Sequence, residues 1–297
     1  MSSATRAGLV AIVGRPNVGK STLLNRLVGQ DLSITSRKPQ TTRYRVQGIR
    51  TDEAVQMVFV DTPGWELGAR DGINRSMNRE ITSAVTGVDI LVFVCDARGL
   101  DAADRRILDE LGALTAPRIV VLNKVDLVRD KATVLPLIAE IDRRFAPAAI
   151  VPMSAREFDN GEALVTELER LLPEQPYLFD PEEVTTQSSR FFVSEIVREK
   201  LMRHLGEEVP YAASVIIDHF ESEPDGAHIA ATIWVERPGQ KAIVIGAGGA
   251  MLKQIASAAR RDIERLLGCP VYLQTWVKVR ENWRNDVQAL RQLGFDG

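Results

Sequence analysis

The sequence predicts an α/β domain, with a mostly parallel sheet and helices on both faces, followed by a smaller α+β domain. The 297 residues are enough for two domains of ordinary size. Short apolar runs alternate with amphipathic stretches from residue 8 to about 172, which is typical of βαβ units. The order of elements changes after a proline-rich segment. We therefore place the first domain at 1–172, a linker at 173–188 and the second domain at 189–297.

Five apolar runs are the predicted strands of the first domain. They lie at 9–13, 55–61, 90–96, 119–123 and 149–153. Their nearly continuous apolarity suits strands that are buried on both faces of a parallel sheet. A helix-compatible run at 22–28 follows the first strand.

The second domain has a different predicted order. A helix at 189–205 precedes two strands separated by a turn at Pro224-Asp225-Gly226. A short strand at 242–245, a helix at 250–267, a strand at 271–279 and a last helix from about 283 follow. This is an α+β order. The prolines of the linker disfavour both a helix and a central strand there.

Composition excludes several classes of protein. Hydrophobic residues make up 45% and charged residues 26% of the chain, which excludes wholesale disorder. The longest apolar run, 90–95, is far shorter than the roughly 20 residues of a membrane-spanning helix. No signal-peptide core follows the polar start, so we expect neither export nor membrane insertion. Two cysteines without metal-binding spacing indicate reduced thiols in the cytoplasm.

Charge is distributed unevenly along the chain. The net charge of −3 argues against a protein that coats nucleic acid by bulk charge. Residues 173–236 carry 4 basic and 13 acidic side chains, whereas 237–291 carry 10 basic and 4 acidic ones. The C-terminal part therefore offers a basic surface to an acidic partner.

A phosphate-binding loop is predicted where GRPNVGKS matches GxxxxGK(S/T) between a strand and a helix. Gly14 and Gly19 let backbone N–H groups face phosphate oxygens. Lys20 is long enough to reach the outer phosphates, and the Ser21 hydroxyl can ligate magnesium. The residues expected to contact nucleotide here are Gly14, Arg15, Pro16, Asn17, Val18, Gly19, Lys20, Ser21 and Thr22.

Asp61-Thr-Pro-Gly64 ends another predicted strand. The Asp61 carboxylate can hold magnesium through water, and the Gly64 N–H can sense the γ-phosphate. The polar loop 36–43 between these motifs is a candidate switch. Thr42 by preference, or Thr41 as the alternative, would complete the magnesium coordination while the γ-phosphate is present. The predicted metal ligands are Ser21, Thr42 and Asp61.

A guanine site is predicted from Asn123-Lys124-Val125-Asp126 at the end of the fourth strand. The Asp126 carboxylate can accept hydrogen bonds from the ring N–H and the exocyclic amine of guanine. Adenine offers no such pair of donors, so this residue favours GTP over ATP. Ser154-Ala155 is expected to supply a backbone N–H to the guanine oxygen.

The residue after Gly64 is Trp65, where Ras-type enzymes place the glutamine that orients the attacking water. An indole cannot orient that water. Asn17 is similar to the asparagine with which some bacterial GTPases hold a potassium ion in place of an arginine finger. We therefore expect a role for K⁺. The residues expected to take part in hydrolysis are Asn17, Lys20, Thr42, Asp61 and Gly64.

A strand, a GxxG loop and a helix are predicted at 242–267, which is how KH domains clamp a few unpaired nucleotides. Basic residues nearby can neutralise phosphates. Trp276 and Trp283 can stack on bases or serve as packing residues. The candidate RNA-binding residues are Lys241, Gly246, Ala247, Gly248, Gly249, Lys253, Arg260, Lys278 and Arg280.

The chain resembles the Era family of bacterial ribosome-assembly GTPases over nearly its whole length. The matching segments are GRPNVGKS, QTTR, DTPG, NKVD, MSA, RFFVSEIVREK, GQKAIVIG and VKVRENW. The resemblance implies a P-loop GTPase domain with GTP or GDP and Mg²⁺, followed by a type II KH domain. It implies binding of 16S rRNA near its 3′ end during 30S assembly, by a cytoplasmic monomer that binds no DNA and associates peripherally with the inner membrane.

Two departures from the family pattern stand out. The GxxG loop contains Ala247-Gly248 where the family usually has a basic residue, so RNA affinity is expected to be lower or less dependent on salt. The second candidate switch is 61 to about 75. Trp65 and the unusual segment 66–70 within it suggest that this switch moves differently from that of the family. Two alternatives stay open: a GTPase directed at tRNA or a protein, with the C-terminal domain as an interaction module, and a small-molecule kinase, for which no acceptor site or lid is evident.

Overall fold

The structure, a computed structural model, describes residues 5–36, 38, 40–65, 71–206, 208–223 and 225–295. The predicted switch residues 37, 39 and 66–70 lie outside these ranges. Contacts divide the chain into two compact units. The first comprises Met1–Thr35, Thr42–Ala69 and Met77–Thr186; the second comprises Ser36–Thr41, Arg70–Ser76 and Gln187–Gly297. Two short segments of the predicted first domain are thus grouped with the second unit.

The N-terminal part of the chain alternates strands and helices. Its elements are β1 (Arg6–Val13), α1 (Lys20–Val28), β2 (Val46–Thr51), β3 (Val55–Asp61), α2 (Gly72–Val85), β4 (Ile90–Asp96), α3 (Ala102–Leu111), β5 (Arg118–Asn123), α4 (Val134–Phe145), β6 (Ala149–Pro152) and α5 (Gly161–Leu171). The sheet order is β2-β3-β1-β4-β5-β6, and the β2–β3 pair is antiparallel whereas the other pairs are parallel. The α/β prediction and its five strands are confirmed.

Strand β2 was not predicted. It reads VQGIRT, with polar side chains between few apolar ones, because it lies at an end of the sheet. Continuous apolarity marks only strands covered on both faces. Val10 and Ile12 of β1 alternate with Ala11 and Val13, and all four are buried, so helices cover both faces of the central strands.

The predicted linker packs, up to residue 186, against the first unit. The Gln56 amide oxygen accepts hydrogen bonds from the N–H groups of Leu178 and Phe179, at 2.8 and 3.0 Å. The Ile49 N–H donates to the Val184 carbonyl at 2.7 Å. The prolines exclude regular structure here, and side-chain hydrogen bonds satisfy the backbone instead.

The second unit contains α6 (Ser189–His204), β7 (Ser214–Glu223), β8 (Gly226–Val235), α7 (Pro238–Ile245), α8 (Ala250–Leu267), β9 (Val271–Val279) and α9 (Val287–Gln292). Its sheet has the order β7-β8-β9, in which β8 pairs antiparallel with β7 and parallel with β9. The α+β prediction is confirmed. Alternate β8 residues, such as Ile229 and Ile233, enter a core shared with α6 and α8, which leaves the opposite side as an outer face.

The predicted strand at 242–245 is wrong, because these residues form the end of helix α7. Pro238 stands at the helix start, where its missing N–H costs nothing. The Gln240 side chain accepts from the N–H groups of Glu236 and Arg237, which caps the helix. Four apolar residues are too few to distinguish a strand from a helix by periodicity.

Within the described ranges, no single helix is long and apolar enough to cross a membrane. Only the bent pair formed by Pro238–Ile245 and Ala247–Leu267 meets the criteria together, by length and composition alone.

Candidate nucleotide site and RNA-binding loop

The phosphate loop lies between β1 and α1, at the carboxyl edge of the parallel strands. The Asn123 amide donates to the Val18 carbonyl at 2.7 Å, and Lys124 Nζ donates to the Asn17 carbonyl at 2.7 Å. The Trp65 N–H donates to the Gly14 carbonyl at 3.1 Å. Hydrogen bonds from β5 and from the DTPG segment therefore fix the loop on both sides.

Lys20 is buried within this loop. Its Nζ donates to the carbonyls of Gly14 and Arg15, at 3.0 and 2.9 Å. Burial lowers the pKa of Lys20 to about 8, although the nearby Asp61 opposes this shift. A buried ammonium group is costly without an anionic partner. Phosphate oxygens of a bound nucleotide would supply that partner.

Three oxygen-bearing side chains meet beside the loop. Ser21 Oγ donates to Asp61 Oδ2 at 2.8 Å and lies 2.7 Å from Thr42 Oγ1. Asp61 is fully buried, and burial raises the pKa of its carboxyl group, against the opposing effects of Lys20 and two serine hydrogen bonds. Its Oδ1 has no hydrogen-bond partner among the described residues. Hydroxyl and carboxylate oxygens suit Mg²⁺, so the residues present fit the ion.

The structure distinguishes the two candidate threonines. The Thr41 hydroxyl lies 2.8 Å from Ser36 Oγ and donates to the Lys38 carbonyl at 2.6 Å, within its own loop. Only Thr42 of the pair contacts Ser21. The geometry therefore favours Thr42 as the metal ligand.

Two residues that the sequence analysis did not single out support Asp61. Ser33 Oγ donates to Asp61 Oδ2 at 2.9 Å. Asn25 holds Ser33 through two hydrogen bonds of 2.8 Å, one to its N–H and one to its carbonyl. The signal in the sequence was the polar Asn25 within the apolar helix segment LLNRLV, since a buried amide needs partners.

The amide groups of Ser154 and Ala155 are engaged within the protein. The Ala155 N–H donates to Asn123 Oδ1 at 2.8 Å, and the Ser154 N–H donates to the Asp159 carbonyl at 3.1 Å. The Ala155 N–H thus helps to position Asn123, and the contact of Ser154-Ala155 with the guanine oxygen stays a prediction. Asp126, just beyond β5, is exposed and accessible to a base.

The Arg15 side chain is engaged by acidic residues of the first unit. Arg15 forms ion pairs with Asp101 and Asp104, at 2.6 and 2.8 Å, so its guanidinium group is held against helix α3. Trp65 packs against the apolar cluster of the first unit. Its indole is therefore part of the packing and does not orient water.

Close contacts set the remaining loop positions. A Cβ atom on Gly64 would lie 2.5 Å from the Pro16 ring, so the DTPG segment passes directly over the phosphate loop. Asn17 is exposed with a left-handed backbone, and Thr22 follows in the first turn of α1.

Lys124 also pairs with Asp96 at 3.2 Å. Burial would raise the pKa of Asp96, but Arg98 and Lys124 lower it to about 2.

Both switch segments make contacts inside the second unit. The buried Arg198 donates to the Thr41 carbonyl and pairs with Glu195. At the second segment, Asp71 pairs with Arg284, and the Gly72 N–H donates to Asn285 Oδ1 at 2.8 Å. Thr41, which Arg198 of α6 holds, therefore directly precedes the candidate metal ligand Thr42 in the chain.

The GxxG loop joins α7 to α8. Gly246, Gly248 and Gly249 have left-handed φ values of +73°, +56° and +79°, and Ala247 and Gly248 are exposed. Lys241 lies in α7 and Lys253 in the first turn of α8. Neither lysine forms an ion pair with a described residue. The GxxG loop and these two lysines, which lie in the helices that flank it, stay candidate RNA-binding residues.

The other predicted RNA-binding residues lie elsewhere. Arg260 pairs with Glu264 at 2.7 Å. Arg280 pairs with Asp286 at 2.8 Å and covers the Trp234 ring at 4.2 Å. Lys278 alternates with the core residue Val277, so it lies on the outer face of the sheet. The predicted set is therefore spread over the GxxG loop with its flanking helices, the end of β9 and the outer face of the sheet.

Comparisons with known proteins cover both units. Residues 9–124 match the family described as 50S ribosome-binding GTPase, and residues 208–284 match the KH domain. GTPase Era of Coxiella burnetii (strain Dugway 5J108-111) is 47% identical over 292 residues, 98% of this chain and 99% of that protein. GTPase Era of Pseudomonas fluorescens (strain Pf0-1) is 45% identical over 294 residues, 99% of this chain and 98% of that protein.

Two solved structures are similar over the whole chain. One is Era in complex with MgGDPNP and nucleotides 1506–1542 of 16S ribosomal RNA. The other is an Aquifex aeolicus Era variant bound to GDP·AlF4⁻. Each is 39% identical with a TM-score of 0.95, and the match covers 99% of this chain and 100% of the solved one.

Proposed function

Because the chain belongs to the Era family of GTPases, we propose that it is a GTP-operated switch that binds 16S rRNA near its 3′ end during 30S assembly. Its enzymatic activity is the hydrolysis of GTP to GDP and phosphate. The convergence of Ser21, Thr42 and the buried Asp61 carries the proposal, since it offers a preformed oxygen site beside a phosphate loop.

Different residues of the nucleotide site bind the phosphates and the base. Lys20 exchanges its bonds to loop carbonyls for bonds to the outer phosphates, and α1 presents its N-terminus to the same oxygens. Asp126 reads the guanine edge, while Asn123 holds the phosphate loop and the base-binding loop in one arrangement. When bound, Mg²⁺ neutralises charge on the phosphates.

Water activation falls to groups other than the residue after Gly64. Trp65 is packed against the core, so the chain has no side chain there to orient water. We propose that the exposed Asn17 helps to hold a K⁺ ion against the phosphates. Equal GTP turnover in sodium and potassium buffers would contradict this proposal.

We propose that the two switch segments couple the nucleotide state to RNA binding. Thr42 belongs to the metal site, and the adjacent Thr41 carbonyl is bonded to Arg198. When the γ-phosphate is lost, Thr42 no longer coordinates the metal and can leave the site. The adjacent Thr41 then moves with it, and the hydrogen bond from Arg198 to the Thr41 carbonyl changes. Different contacts in the two nucleotide states are what a nucleotide-dependent RNA affinity requires.

The wider setting is proposed on the family resemblance. We place the protein in the cytoplasm as a monomer that acts on the 30S subunit or its precursor, with peripheral association with the inner membrane. Sedimentation with ribosomal particles and with vesicles of bacterial lipids, in GDP and in GTP, tests both associations.

The proposal is tested by RNA affinity in two nucleotide states. A labelled RNA copying the 3′ end of 16S rRNA is titrated with the full chain loaded with GDP or with GDPNP and Mg²⁺, and fluorescence anisotropy gives Kd. Tighter binding with GDPNP supports the switch. Equal binding contradicts the coupling, and preference for tRNA or for a protein favours the interaction-module alternative.

Asn285→Ala provides the matched variant for this test. It removes the acceptor of the Gly72 N–H without disturbing a buried ion pair. We expect it to reduce the difference in Kd between the two nucleotide states while leaving GTP affinity unchanged.

A further inference from the structure

The outer face of the β7-β8-β9 sheet carries two exposed aromatic side chains. Tyr272 is 58% exposed and Trp276 is 50% exposed, both on β9. Val271 and Val277 of the same strand enter the core, so the two aromatics lie on the side opposite to the helices. Trp283, the other aromatic singled out from the sequence, is fully buried and donates to the Ala212 carbonyl.

The outer positions of β9 have a mixed chemical character. Tyr272, Gln274, Trp276 and Lys278 follow one another on this face, and all four are exposed. They offer, in order, an aromatic ring, an amide, a second ring and a cation. Tyr272 and Trp276 are about 13 Å apart along the strand, at roughly 3.3 Å per residue.

The neighbouring strands add an imidazole ring, a hydroxyl group and two hydrogen-bonded carboxylates to this face. His228 lies opposite Tyr272, with ring centroids 5.7 Å apart, and Thr232 lies opposite Trp276. Asp218 accepts a hydrogen bond from Thr232, and Glu221 accepts one from His219. Two of the three acidic side chains of β7 thus accept hydrogen bonds, whereas Lys278 forms no ion pair within the described ranges.

We propose that this outer face, defined as Tyr272, Gln274, Trp276 and Lys278, is a second single-stranded RNA site on which unpaired bases stack. Aromatic rings on a sheet bind bases in this way, while amides bind base edges and cations bind phosphates. A GxxG loop clamps about four nucleotides, so a longer RNA needs further contacts. A lysine beside an aromatic position fits a nucleic acid better than a protein, because lysine is depleted in protein interfaces.

This inference rests on the proposed RNA binding, and the test separates the two. The probes are uridine- and cytidine-containing RNAs of 4 and 12 nucleotides, and the variants of the full chain are Tyr272→Ala/Trp276→Ala and Tyr272→Phe/Trp276→Phe. For the 12-mer we expect the double alanine variant to bind at least about tenfold more weakly, and the phenylalanine variant to bind nearly normally, since a phenyl ring still stacks. For the 4-mer we expect little change, because the GxxG loop suffices.

Salt dependence distinguishes stacking from charge. The double alanine variant should keep the slope of log Kd against log salt, because stacking releases no counterions. Lys278→Ala should reduce the slope by the amount expected for the loss of about one phosphate contact. Val287→Ala, at a 54% exposed apolar position in α9, is the control and should bind normally. Circular dichroism and GTP turnover without RNA should be unchanged in all variants.

The outcomes are distinct. If the original chain binds the 12-mer and the double alanine variant binds it equally well, the outer face is not an RNA site, although the proposed function stands. If the double variant loses affinity only for intact 30S precursors and not for naked RNA, the face binds protein and the inference is wrong. If the original chain binds neither of these RNAs but binds the copy of the 16S rRNA 3′ end, the inference is wrong and the proposed function stands. If it binds none of the three RNAs, the proposed function fails as well.

Discussion

Two glycine loops lead into helix N-termini in this protein, one in each unit, and they are supported in different ways. A Cβ atom on Gly19 of the phosphate loop would lie 2.2 Å from the Asn123 amide nitrogen, and one on Gly14 would lie 2.3 Å from the Val94 carbonyl oxygen. A Cβ atom on Gly248 or Gly249 of the GxxG loop would meet no atom within 4 Å.

The difference teaches how two phosphate-binding loops serve different ligands. The phosphate loop is held by neighbouring strands, because a hydrolytic site must fix a nucleotide against several groups at once. In the GxxG loop a Cβ atom on Gly246 would lie 2.7 Å from Met251, but the surface at Gly248 and Gly249 is open. That arrangement suits a flexible chain of nucleotides, which must approach from solvent.

The largest effect is expected from Gly19→Ala. The added methyl group collides with Asn123, which holds both the phosphate loop and the base-binding loop. We expect GTP affinity to fall by at least about 100-fold, equivalent to two interactions of about 1.4 kcal/mol each, in a fluorescent-nucleotide titration. Gly29→Ala, at the other end of α1 with no atom within 4 Å, is the control. Normal GTP affinity in Gly19→Ala would show that this loop is as tolerant as the GxxG loop.

A second test concerns the two adjacent threonines. Thr42→Ala removes a hydroxyl from the metal site, so we expect GTP turnover to fall by about 100-fold, as for loss of one group that stabilises developing charge. Thr41→Ala leaves the metal site intact and should keep most of the turnover. The reverse ranking, measured by phosphate release at saturating GTP, would make Thr41 the metal ligand.

A smaller effect is expected in the GxxG loop, where charge and size can be separated. Gly248→Asp places a carboxylate among RNA phosphates and should weaken RNA binding by about tenfold, that is about 1.4 kcal/mol. Gly248→Ala adds no collision and should change the RNA Kd by less than about threefold. Because Gly248 has a left-handed backbone, alanine at this position should lower the free energy of unfolding by about 1–2 kcal/mol, which is measured as a lower Tm. A large RNA defect in Gly248→Ala would mean that this loop is closely packed when bound.

The smallest effect is expected from labelling the two thiols, one in each unit. Cys95 is fully buried in the first unit, and burial raises its pKa well above the ordinary value. Cys269 is partly exposed in the second unit. We expect a thiol reagent at pH 8 to modify Cys269 first, with GTP turnover changed by less than about twofold, because only the thiolate reacts. Rapid modification of Cys95 would indicate opening of the first unit.

Strands that are buried on both faces were predictable, and so were the positions of the nucleotide motifs. Elements with a single buried face or with few apolar residues were not predictable: β2 was missed, and the end of α7 was predicted as a strand. The protein partners of Arg15, Ser154 and Ala155 were not predictable either, because Asp104, Asp159 and Asn123 are brought to them only by folding. Ser33 has no motif at all and reaches Asp61 through the loop that Asn25 fixes.

The sequence by itself determined the two-unit architecture, the guanine nucleotide site and the GxxG loop, because periodicity and short-range spacing fix strands, helices and turns locally. The tertiary structure added the contact of Thr42 with Ser21, in agreement with the preference for Thr42, and it alone decided that Lys278 lies on the outer face of the sheet. It also exposed Trp276 while burying Trp283. These outcomes depend on strand register and on which face of an element packs against the core, and both are set by contacts between residues far apart in the chain.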